Sequence, residues 1–178
     1  MKFIKSRFSS REKLILLLAA CVFFIHVWSI ISVLREVPAW VLRLRFWDLI
    51  GVIAYTQVYA LAESMVVFLV LIIIAAILPA KLFRDKLVAL GTMVVLVTSI
   101  WFVLAHYNDE AIRLWGAKQF LPVLLTFLVS ILIPYVLIQR YQKLEDTISA
   151  IVARLAVLAY VYVFLDVISI FIIVIRNI

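Results

Sequence analysis

Residues 14–34, 52–78, 87–105, 120–138 and 148–175 form five long apolar runs, and they limit this chain more than any other feature does. A helix of about 20 residues, rising 1.5 Å per residue, crosses the ~30 Å hydrocarbon core of a bilayer. Of the 178 residues, 68% are hydrophobic, whereas soluble domains are about 45–50% apolar. That surplus cannot be buried in one core, so it must meet lipid. The expected fold is an all-α integral membrane protein, a compact bundle of five transmembrane helices forming one membrane domain over 1–178. The links between the runs leave no room for a soluble domain.

The boundaries have local causes. Ser9 followed by Glu12 fits a capping box at the first helix. The first run exceeds a signal-peptide core and no small-residue cleavage site follows, so it reads as a retained span. Pro38 is read as a break, and residues 39–48 as a short helix in the interface, with Trp40, Leu44 and Trp47 on one face; an ordinary link fits the same residues. The stretch from Leu49 to Leu78 would measure about 45 Å as a helix, so it must tilt or project from the membrane.

Charge sets the expected orientation. Lys2, Lys5, Arg7, Arg11, Lys13, Lys81, Arg84, Lys86, Arg140, Lys143 and Arg154 would share one side, eleven of the 17 basic residues. The positive-inside rule then places the N-terminus in the cytoplasm and the C-terminus outside. The net charge of +7 sits at span ends rather than in a basic stripe, so it points to lipid headgroups and not to nucleic acid. Arg154 is expected to reach the inner headgroups.

Two acids break the apolar runs, Glu63 in the second and Asp166 in the fifth. A carboxylate at the centre of a span costs about 2.5–3.5 kcal/mol on insertion scales, so such groups normally face the bundle interior. Tyr55, Tyr59 and Glu63 share a helical face, as do Tyr162, Asp166 and Ser169, and His26 shares one with Ala19 and Ser29. His26 and Asp166 lie at similar depths. The expected site is therefore an intramembrane polar layer of His26, Glu63 and Asp166 with Tyr59 and Tyr162, and Glu63 is expected to point inward. The layer has two readings, a proton or cation relay and plain hydrogen bonding between helices.

Pro134, inside the fourth span, removes a hydrogen bond to the Ser130 carbonyl and marks a candidate hinge or a static bend. His106, Asp109 and Glu110 form a polar link without metal-ligand spacing. Cys21 has no second cysteine to pair with. No phosphate-binding, nucleophile-elbow or dinucleotide motif occurs, so no catalytic residue, metal or cofactor is assigned.

Three functions fit these residues. The leading one is a non-catalytic accessory or assembly subunit packed against another membrane protein or itself. The second is a small proton- or cation-coupled transporter or channel. The third is an intramembrane lipid-processing enzyme. Five spans with an outward C-terminus resemble, in topology alone, the membrane part of extracytoplasmic lipid-headgroup transferases, which implies a stand-alone membrane part without their soluble catalytic domain.

Overall fold

The computed structural model describes residues 10–78 and 86–178. Among the described residues six helices follow in order: α1 (Arg11–Val41), α2 (Phe46–Ile77), α3 (Leu87–Tyr107), the short α4 (Asp109–Arg113), α5 (Ala117–Arg140) and α6 (Gln142–Asn177). Five of them are long and apolar enough to cross a membrane. They pack as a bundle, as the apolar runs require.

The first cap is Ser10, whose side chain accepts a hydrogen bond from the Lys13 backbone N–H at 3.4 Å. Ser9, expected in that role, lies outside the described residues. So do Pro79 and Lys81, which follow the second apolar run. The last residue before them, Leu78, is extended at φ −71° and ψ 150°, the conformation that a following proline favours.

No separate interfacial helix joins the first two spans. α1 continues through Pro38 to Val41, and α2 begins at Phe46, so only Leu42 to Arg45 form the link. Proline's fixed φ is helical, and its missing donor costs little in the exposed last turns of a helix, where the freed carbonyl can reach water. Residues 39–48 are thus divided between two long helices. Both project beyond an apolar core of about 30 Å: 31 and 32 residues correspond to about 47 and 48 Å.

α1 is the central helix. It packs against α2, α3 and α6, and α2 also packs against α6. On one side Leu17 and Cys21 join Leu87 and Leu90 of α3; on another Ala19 and Val22 meet Ala159 of α6. Gly91 makes the α1–α3 approach possible, because a Cβ there would overlap the Leu17 side chain. By contrast α5, among the described helices, packs only on α3 and α6 and leaves most of its length open. Its helix is continuous through Pro122 and Pro134. One turn before Pro134 it is pinned to α3, where Trp101 Nε1 donates to Ser130 Oγ at 2.9 Å.

Polar contacts hold both ends. At the end of the bundle carrying Ser10, Lys86 Nζ donates to the Ile138 carbonyl at 2.6 Å and pairs with Glu145 at 3.2 Å, joining α5 and α6 to the start of α3. At the opposite end, Arg176 donates to Asp48 Oδ1 at 2.6 Å and to the Trp47 carbonyl at 2.9 Å. The guanidinium lies where a Cβ on Gly51 would be. Beside it Asn177 Nδ2 donates to the Tyr55 hydroxyl at 2.8 Å.

Candidate functional site

His26 and Asp166 meet in the centre of the bundle. The helical phase of α1 puts Ala19, Val22, His26 and Ser29 on one buried stripe, and that of α6 does the same for Ala159, Asp166 and Ser169. His26 Nε2 lies 3.0 and 3.1 Å from the two carboxyl oxygens of Asp166. Both residues are 0% exposed. Tyr162, one turn before Asp166, stacks on the imidazole with ring centroids 5.4 Å apart and planes 10° apart.

The ring's other nitrogen fixes the proton count. His26 Nδ1 is 2.8 Å from the Val22 carbonyl. A carbonyl only accepts, so Nδ1 carries a hydrogen and donates. Nε2 faces a carboxyl group, so one further proton must lie between the two residues. It sits on Nε2 against a carboxylate, or on Asp166 donating to a neutral ring. In both forms the contact is a full hydrogen bond, and it clasps α1 to α6 away from water.

Glu63 does not join this layer, and the expected inward orientation is overturned. The buried stripe of α2 is Gly51, Ala54, Gln57, Ala60, Ser64 and Leu71. Glu63 is exposed, with Tyr55 and Tyr59, which are 37% and 68% exposed. The physical reason is packing. Small residues let helix backbones approach closely, and the Gly–Ala–Ala–Ser stripe takes the interior. Glu63 precedes Ser64 by one residue, so it is rotated about 100° away from that face. Among the described residues no hydrogen bond or ion pair reaches Glu63.

Depth can be counted from the contact between Gly51 and Arg176. Asp166 is ten residues before Arg176, about 15 Å along α6, and Glu63 is twelve after Gly51, about 18 Å along α2. Counted along the helices the two acids lie at comparable depth, but one is enclosed and the other open. By the same count Gln57 lies level with Ser169, one turn nearer the C-terminal end than the pair. Gln57 Oε1 and Ser29 Oγ are buried without a protein partner.

The remaining candidates are dispersed. Arg154 is exposed on α6, twelve residues or about 18 Å from Asp166, and takes no part in the buried pair. Pro134 lies inside α5, and among the described residues no hydrogen bond links it to His26 or Asp166. His106 stacks edge-on with Trp28 at 5.7 Å, and Asp109 pairs with Arg113 within α4 at 3.0 Å. Among the described residues no three His, Cys, Asp or Glu side chains form a metal-binding group. Sequence reasoning missed both end clasps, Lys86–Glu145 and Arg176–Asp48. The signal for each was opposite charges at span ends, which becomes a pair only once the neighbours are known.

Fold and site define a class: a polytopic helical membrane protein in contact with the lipid bilayer. No family model, curated protein or solved structure matches the chain.

Proposed function

We propose that this protein is a non-catalytic accessory or assembly subunit that packs against another membrane protein. One observation carries this reading. Glu63 stands on the open flank of α2, about 18 Å from the helix contact at Gly51 and so deep in the apolar core. Left in lipid, an acid there has no hydrogen-bond partner and must be protonated or draw in water. A protein surface with polar groups at that depth relieves the cost. Extraction into lipid-containing particles followed by mass measurement tests the reading. A stoichiometric assembly with a second membrane protein supports it, and a lone chain from native membranes contradicts it.

A second reading, a proton-coupled transporter, draws on the proton held between His26 and Asp166. It must do without Glu63, which faces away from that pair. Its test is proton flux in liposomes, which Asp166→Asn should abolish. Paired acids at one depth on the outer side would favour the lipid-processing reading. Glu63 is exposed and Asp166 enclosed, so the two acids do not form such a pair.

A further inference from the structure

If the protein is an accessory subunit, the flank of α2 around Glu63 has to accept something, and its chemistry narrows what. Tyr59 and Glu63 are one turn apart on the same open face, with Cβ atoms about 5–6 Å apart by helix geometry. One is an aromatic ring, 68% exposed; the other is an acid with no partner among the described residues. Both attract a cation, the ring through its quadrupole and the carboxylate through its charge. Flanking them, at position 62, is an alanine, also exposed, so a neighbouring backbone can come close.

The depth restricts the carrier of that cation. Lipid ammonium headgroups lie at the surface, more than 10 Å from a group about 18 Å along a spanning helix. A free cation would have to enter hydrocarbon. A lysine or arginine on a transmembrane helix meets neither obstacle once the acid is beside it.

Among the described residues, a second copy of this chain in the same orientation offers no lysine or arginine at that depth. Copies with the same orientation share depth. Among the described residues, lysines and arginines lie in links or within two turns of a helix end, apart from Arg154. Arg154 is twelve residues before Asp166, about 18 Å along the axis and well below the Glu63 layer. His26, the basic group nearest in depth, is enclosed and already bonded to Asp166.

We propose that the open flank of α2 seats a transmembrane helix of a different protein, with a lysine or arginine of that helix held between Glu63 and the ring of Tyr59. This rests on the accessory-subunit reading and names the chemistry of its partner.

The probe is a synthetic leucine-rich transmembrane peptide with one lysine at its midpoint, compared with an all-leucine peptide. Association with the full-length protein is followed by energy transfer in phosphatidylcholine vesicles. The lysine peptide should bind at least tenfold more tightly than the all-leucine peptide. Glu63→Gln should remove most of that difference, and Tyr59→Leu should reduce it severalfold. Both residues are exposed, so the variants should fold, as unchanged helicity and elution would confirm.

Moving the acid tests the seat itself. Phe164 on α6 is 64% exposed and close to Glu63 in depth. Phe164→Glu in a Glu63→Leu background should bind the lysine peptide more weakly than the native protein does. Equal binding of the two peptides, or no effect of Glu63→Gln, overturns the proposal. So does self-association of labelled copies that Glu63→Leu abolishes, which would make the occupant a second copy. If native membranes yield a stoichiometric partner whose binding ignores Glu63→Gln, the accessory reading stands and this inference fails. A lone chain in native membranes removes both.

Discussion

His26 and Asp166 are 140 positions apart in the chain and meet at 3.0 Å in the centre of the bundle, both fully buried. Because Nδ1 of the same ring is committed to the Val22 carbonyl, the pair contains one shared proton and the ring is held at both nitrogens. Interhelical hydrogen bonds in membranes average about 0.6 kcal/mol, because the separated helices find other partners. Enclosure makes this one costlier to break from one side. Asp166→Ala should lower stability by about 3 kcal/mol, since a buried group loses its partner. Replacing both residues by leucine should lose less than Asp166→Ala alone. Unfolding in mixed micelles, run as a double-mutant cycle, checks this; additive losses would mean that the contact contributes no coupling.

The second clasp depends on a missing side chain. Arg176 crosses α2 over Gly51 and reaches the Trp47 carbonyl and the Asp48 carboxylate. Gly51→Ala should push the guanidinium aside. The pair is partly exposed, so the loss should be modest, about 1 kcal/mol. Amide exchange in the last turn of α6 should quicken. The same change in an Arg176→Ala background should add little, and full additivity would show that Gly51 acts through something else.

Orientation is a separate matter, argued from charge. With the N-terminus in the cytoplasm, a reporter fused after Ile178 should be active only in the outer compartment. Activity in the cytoplasm would reverse the assignment.

How far the sequence could be read differs from helix to helix, for physical reasons. The five spans follow from long apolar runs, and α1 and α6 show their inner faces because His26 and Asp166 fall among small residues on those stripes. In α2 the polar residue misleads. Cost alone predicts that Glu63 turns inward, yet the tighter packing of Gly51, Ala54, Ala60 and Ser64 decides the phase. The stripe of small residues was the better signal. Pro38 misleads in the same way, since a proline near a helix end, where water can take the freed carbonyl, need not stop the helix. The end clasps could not be read at all, because Arg176 and Asp48 are brought together only by the antiparallel register of α2 and α6.

The most direct measurement uses a lipid-soluble carbodiimide, which enters the bilayer and adds to protonated carboxyl groups that it can reach. Treated vesicles and treated native membranes are digested, and the mass shift on each acid is read by mass spectrometry. The account predicts that Glu63 is modified when the isolated chain is alone in vesicles and protected in native membranes, where a partner covers it. Asp166, enclosed behind His26 and Tyr162, should stay unmodified in both. An isolated chain whose Glu63 resists the reagent, or a Glu63 modified equally in native membranes, would contradict it.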